Sequence, residues 1–281
     1  MGVRARLVVY APNELAAARA CAAAFARVAA LEEVFSDYRP TSELMRLCDR
    51  AGGEPVVVSD ELFKVLQRAA EVSQRSGGAF DVTVGPLVQL WRAARKSGQL
   101  PPRDELDRAR QLVGWQRVLL DPAARTVRLT TPGMRLDLGG IAKGYAGDQA
   151  LAVLREHGIT RALFEAGGDI VAGDSPPGAA GWRVEVVDPG EGAMKSLMVA
   201  NRGASTSGDT EQFVEIEGRR YSHVVDPRTG LGVMDRTMAT VVARDGLTSD
   251  SLSTAVCVLG NERGEALAKT YAATPYIRTA K

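Results

Sequence analysis

The stretch from Arg135 to Asp169 constrains the fold more than any other part of this sequence, because glycines cut it into strand, helix and strand. Asp137-Leu138-Gly139-Gly140 reads as a strand end passing through two glycines into a helix that runs to His157 and is closed by Gly158. Ala162 to Phe164 follows as a strand and meets a second glycine pair, Gly167-Gly168, just before Asp169. A chain that changes from strand period to helix period within so short a span predicts a mixed α/β or α+β protein.

The flanking segments extend this pattern. Val3 to Tyr10 reads as a first strand, and Asn13 caps a helix over Leu15 to Phe35 on which Cys21, Phe25, Val28, Leu31 and Phe35 recur at helical spacing. Ser36 to Glu43 reads as a loop leading into a short helix, and Val56 to Val58 is a short apolar run. Ser59 or Asp60 caps a helix with Leu62, Val65, Leu66, Ala69 and Val72 on one face, stopped by Gly77 and Gly78. A further helix is expected near Asp104, and Val118 to Thr130, with Asp121-Pro122 at its middle, reads as a hairpin. Two or three strands are expected across Trp182 to Ile216, and a hairpin about Gly218 joins Phe213 to Glu217 with Arg219 to Val225. Thr237 to Ala243 is another strand, and a helix starts at Ser249 or Asp250 and runs towards Leu259. The expected architecture is one compact domain over residues 1–281, with helices packed on a largely antiparallel sheet and no repeat of solenoid period.

Composition narrows the chemistry. The chain of 281 residues holds two histidines, which argues against a His-rich zinc or non-haem iron centre. Its 35 Lys and Arg against 34 Asp and Glu give no electrostatic reason to expect a nucleic acid partner. Cys21, Cys48 and Cys257 are odd in number, far apart and without a C-x-x-C pair, so they read as buried thiols. No window reaches the roughly 20 apolar residues of a membrane span, and the Ala-rich helix carries Arg19, Arg27, Glu32 and Glu33, which also sets it apart from a signal peptide.

Four polar segments are candidates for a small-molecule site. Glycines and free N–H groups at the start of the helix after Asp137 suit an anion, and Lys143 adds a positive charge one turn in; a tight strand-to-helix turn explains the same residues equally well. Asp250 and Thr254 are four apart at a helix start, so their oxygens share a face and suit a hard cation such as Mg²⁺, although a capping aspartate beside a solvated threonine also fits. His223, running into the turn Asp226-Pro227-Arg228-Thr229-Gly230, can move protons near neutral pH, with Asp226 at the same corner. Ala204-Ser205-Thr206-Ser207-Gly208-Asp209 strings small hydroxyls and glycine together, as a ligand-binding segment or an ordinary loop does.

Taken together and in order, these segments resemble the ApbE-type FAD:protein FMN transferase family. The resemblance runs along nearly the whole chain: Met1-Gly2, Ser36 to Pro40 with Ser42-Glu43-Leu44, Gly78 to Leu87, Asp137 to Tyr145, Gly167 to Asp169, Ser205 to Asp209, His223 to Gly230 and Asp250 to Thr254. It implies a Mg²⁺-dependent enzyme that cleaves FAD, attaches FMN to a threonine of an acceptor flavoprotein and releases AMP. By similarity Asp250, Thr254 and the carbonyl of Gly140 are the metal ligands, with Ser253 assisting where some members place another acidic ligand. Met1, Tyr38, Ala79, Phe80, Asp81, Asp137, Lys143 and Val225 match positions lining the flavin nucleotide, and His223, with Asp226 beside it, is the candidate for proton handling. The chain departs from the family at Cys48, where an Asn is usual, so a Mg²⁺-dependent FAD pyrophosphatase and an FAD-binding protein without turnover stand as alternatives. The resemblance further implies an acceptor such as a subunit of a membrane redox complex, and an exported, often lipid-anchored setting, for which this chain displays no signal segment.

Overall fold

The computed structural model describes residues 3–187, 194–208 and 212–279. Met1 and Asp209 lie outside the described residues.

The N-terminal half is mostly helical. Strand β1 (Ala5–Val9) leads into helix α1 (Glu14–Phe35), whose first turn is capped by Asn13, the side-chain oxygen accepting from the Ala16 N–H. Ser42 caps α2 (Glu43–Cys48) in the same way, and β2 (Val56–Val57) precedes α3 (Asp60–Arg75), capped by Ser59. A helix absent from the sequence reading follows: α4 (Gly85–Ser97), which starts directly after a single 3-10 turn at Val82–Val84. It has no capping side chain, but Pro86 sits in its first turn, where a missing N–H costs nothing, and Leu87, Trp91 and Ala94 form its buried stripe. Helix α5 (Arg103–Gln111) and the hairpin β3 (Val118–Asp121) and β4 (Thr126–Leu129) complete this half.

The C-terminal half supplies the main sheet. After α6 (Ala142–Glu156), which ends at His157, come β5 (Ala162–Ala166), β6 (Asp169–Ala172), β7 (Trp182–Val187), β8 (Met194–Val199), β9 (Arg202–Ser207) and β10 (Phe213–Ile216). Four strands thus occupy the segment expected to hold two or three. Strand β11 (Arg219–Ser222) ends earlier than expected, because the chain from His223 onward turns back on itself and Val225 bridges to Gly232. Strand β12 (Thr237–Ala243) agrees with the pattern, whereas α7 (Gly246–Leu259) starts before Ser249: Asp245 is its cap, accepting from the Thr248 N–H at 2.7 Å. Asp250 is therefore free of capping duty at the start of its own helix. Helix α8 (Asn261–Thr270) and strand β13 (Thr274–Thr279) were not anticipated; α8 is polar and β13 contains Pro275, which is compatible with the edge position that β13 holds.

The main sheet is antiparallel throughout, in the order β1-β5-β6-β9-β12-β13. Alternation along β5 shows how it is sandwiched. Ala162, Phe164 and Ala166 pack with Leu151 and Leu154 of α6 and Ala20 and Ala24 of α1, while Leu163 points to the other side, where the β7–β8 ribbon covers it with Trp182, Val184 and Val199. Burying a side chain such as Leu151 or Phe164 stabilises the fold by about 1.5–3 kcal/mol. The expectation of helices packed on a largely antiparallel sheet is borne out. Among the described residues no helix is long and apolar enough to cross a membrane.

Candidate active site

Helices α6 and α7 run antiparallel against the sheet, and their contact brings two distant sequence segments together. The Gly144 N–H donates to Asp250 Oδ2 at 2.9 Å, so the carboxylate from α7 serves a free N–H in the buried N-terminal turn of α6. One turn away, a Cβ placed on Gly140 would stand 2.7 Å from Thr254 Oγ1, which shows how closely that backbone approaches α7. Ser253 does not face the cavity; its hydroxyl lies 2.8 Å from that of Ser207 and donates to the Asp250 carbonyl at 2.9 Å.

Lys143 is the electrostatic centre. Its Nζ stands 2.9 Å from Asp169 Oδ2 and 3.7 Å from Asp250 Oδ1, and it donates to the Gly139 carbonyl at 2.7 Å. Both carboxylates are buried. Their attraction holds the Lys143 ammonium well above its usual range, against its own burial. Burial and the nearby Asp169 push the Asp250 carboxyl up to about 7. Two buried carboxylates facing one ammonium leave a local deficit of positive charge. Asp250, the Thr254 hydroxyl and the Gly140 backbone offer hard oxygen donors at this place, which fit a divalent cation such as Mg²⁺.

A second cluster comes from α4. Arg92 bridges Asp37 and, at 3.0 Å, Asp137 Oδ2, while the other oxygen of Asp137 accepts from the Gly139 N–H at 2.7 Å. The Arg92 guanidinium also lies 4.3 Å from the centre of the Tyr38 ring, which is 66% exposed and so offers surface to a ligand ring. Asp81 is committed to the protein: its oxygens accept from the Thr83 N–H at 2.8 Å, the Thr83 hydroxyl at 2.6 Å and the Trp115 N–H at 2.9 Å. Burial raises the Asp81 carboxyl despite these donors, while burial and Asp37 raise that of Asp137.

His223 lines the same cavity. Its Nδ1 is 3.0 Å from the Gln212 carbonyl oxygen, which can only accept, so the neutral ring carries its proton on Nδ1 and presents Nε2 as an acceptor. Asp226 is turned away from the cavity. Its carboxylate takes two hydrogen bonds from the Arg228 guanidinium, at 2.9 and 2.8 Å, and one from the Arg228 N–H at 2.9 Å.

These walls enclose a cavity of about 500 Å³. It is lined by Tyr38, Ala79, Phe80, Asp81, Asp137 and Val225 among the residues expected to hold the nucleotide, and by Lys143 between them and the ion donors. Gly140, Asp250, Thr254 and His223 line it too. Cys48 does not: it lies in the core, its Sγ accepting from the Leu136 N–H at 3.3 Å, and burial pushes the thiol up to about 11. Sequence reasoning missed Asp37, Arg92 and Asp169 as partners. Asp37 and Asp169 stood inside quoted motifs, whereas Arg92 lies on the one helix before the hairpin that was not read, and pairing across 45 residues leaves no local signal.

Fold and cavity together define an α+β protein in which one cavity gathers Lys143, Asp250, Thr254 and His223. The chain belongs to the ApbE family, which it matches over residues 1–277. It is 37% identical over 270 residues to the FAD:protein FMN transferase of Treponema pallidum, covering 86% of this chain and 75% of that relative. It is 32% identical to a FAD:protein FMN transferase of Klebsiella pneumoniae over 94% of this chain and 82% of the relative. Among solved structures, the flavin transferase ApbE from Vibrio cholerae superimposes with a TM-score of 0.85 at 29% identity, over 98% of this chain and 89% of that one.

Proposed function

We propose that the protein is a Mg²⁺-dependent FAD:protein FMN transferase that attaches FMN to a threonine of an acceptor flavoprotein and releases AMP. The observation that carries this reading is the convergence of Lys143, Asp250, Thr254, Gly140 and His223 on a single cavity. Family membership supports the same activity.

In this reading Asp250, Thr254 and the Gly140 carbonyl hold Mg²⁺, which when bound neutralises charge on the pyrophosphate. Tyr38 and Phe80 offer ring and apolar surface to the flavin or adenine. Lys143 supplies a fixed positive charge at the phosphate end, already oriented by Asp169. The acceptor hydroxyl gives its proton to Nε2 of His223 as its oxygen bonds to the FMN phosphorus; the P–O bond to the AMP moiety breaks, and AMP leaves with the electron pair. Positioning and electrostatics do most of this, since phosphoryl transfer needs no covalent protein intermediate. The acceptor belongs to the class of membrane redox subunits and other flavoproteins with an accessible threonine.

The experiment is incubation with FAD, Mg²⁺ and a threonine-bearing acceptor, followed by mass measurement. An acceptor heavier by one FMN, with AMP in equal amount, is the expected result. Free FMN and AMP with an unchanged acceptor would identify a pyrophosphatase, and intact FAD a binding protein.

A further inference from the structure

The charged side chains that line the cavity are almost all committed to partners. Lys143 is held by Asp169 and Asp250, and Arg92 by Asp37 and Asp137. Asp81 is satisfied by Thr83 and Trp115, and Glu185 accepts from the Ser196 hydroxyl at 2.6 Å and faces Arg183 at 3.4 Å. Arg95 is the exception: it lines the same cavity from the last turn of α4, and among the described residues no carboxylate or carbonyl engages it.

A solvated arginine at a helix C-terminus would need no explanation, because it complements the helix dipole. Arg95 differs in being half-buried in a cavity wall, one turn from another guanidinium. Desolvation and the charge of Arg92 both work against its cation and lower its pKa. A guanidinium kept charged under those conditions is relieved when an anion enters, and its planar fork suits phosphate oxygens. It shares the cavity with Gly140, Lys143 and Asp250. Arg92, one turn earlier, bonds Asp137, which bonds the Gly139 N–H beside Gly140 of the ion site.

We propose that Arg95 is a substrate-binding residue that takes a phosphate oxygen of the dinucleotide and selects phosphorylated ligands over unphosphorylated ones. This rests on the FAD reading above and adds a specificity residue to it. Because Arg95 bonds no described group, R95A is expected to leave the fold intact.

The test is calorimetric titration of the full chain and its R95A and R95K variants with FAD, FMN, ADP and riboflavin at one fixed low salt concentration. R95A is expected to weaken FAD and at least one of FMN and ADP by roughly 10- to 100-fold, the loss of a charge-assisted hydrogen bond, with riboflavin affinity and thermal midpoint unchanged. R95K should recover part of the loss, and whichever of FMN and ADP is weakened tells which half of the dinucleotide carries the contacted phosphate. Equal weakening of riboflavin, or unchanged affinity for all the phosphorylated ligands, overturns the assignment while leaving the FAD reading in place. Slower transfer with unchanged FAD affinity also overturns it, by putting Arg95 on the acceptor. If the unaltered protein binds none of the four, the FAD reading falls and the assignment with it.

Discussion

Gly144 and Gly246 meet backbone to backbone: a Cβ on Gly144 would lie 2.0 Å from the Gly246 carbonyl oxygen, and one on Gly246 would lie 2.4 Å from that of Gly144. This contact lets α6 and α7 approach closely enough for Asp250 to reach the Gly144 N–H. In an exposed helix interior, Gly→Ala stabilises by up to about 1 kcal/mol. Here the sign should reverse. G144A is expected to lose about 1–3 kcal/mol or more through overpacking, read as a lower midpoint in denaturant unfolding, and a stabilised G144A would refute the close contact.

Gly140 and Asp250 act on the ion site in different ways. D250A removes a proposed ligand and should abolish Mg²⁺-dependent transfer at any Mg²⁺ concentration. G140A leaves the ligands in place, but its Cβ would press on Thr254 Oγ1 at 2.7 Å, so its expected signature is a higher Mg²⁺ requirement. D250A turning over at the wild-type rate in the presence of Mg²⁺ would remove Asp250 from the site.

Lys143 matters to folding as well as to the ligand. K143A strips the one ammonium that, among the described residues, pairs with these two buried carboxylates, and breaking a buried pair in this way costs about 3–5 kcal/mol. A thermal midpoint within a degree of wild type would show that water or an ion replaces the ammonium without loss.

His223 should separate binding from chemistry. H223A is expected to slow transfer by about 10²–10⁴-fold while FAD affinity, measured by flavin fluorescence, stays close to wild type. A parallel loss of affinity would assign the ring to ligand binding instead.

Cys48 gives a pH signature. Its thiol is pushed up to about 11 by burial, so it stays neutral and unreactive towards thiol reagents in the native protein at pH 8, reacting only after unfolding. The sign follows from linkage: the folded state binds this proton more tightly than the unfolded chain. Its contribution is complete below the unfolded thiol value of about 8.5 and is lost as pH rises towards 11. The stability difference between wild type and C48A should shrink over that window, and a flat difference would contradict the burial argument.

Much of the architecture was legible because it rests on local physics. Asn13, Ser42 and Ser59 cap helices where their side chains compete for free N–H groups, and the β-branched run of Thr and Val marks β12 as a strand. Helix α4 escaped because its start has no capping side chain and its first residues were read for their motif. The start of α7 was placed too late because Ser249 and Asp250 are capping residue types, while Asp245 holds the position.

The sequence by itself determined the helix caps, the hydrophobic periods and the glycines at which backbone could come close, since these depend on residues a few positions apart. Tertiary structure alone decided that Asp169 would share Lys143 with Asp250, that Arg92 would tie Asp37 to Asp137 beneath Tyr38, and that Asp226 would face Arg228 and not the cavity. Charge pairing across the chain depends on which elements the packed sheet and its helices bring into reach, and that is set by the burial of the core as a whole.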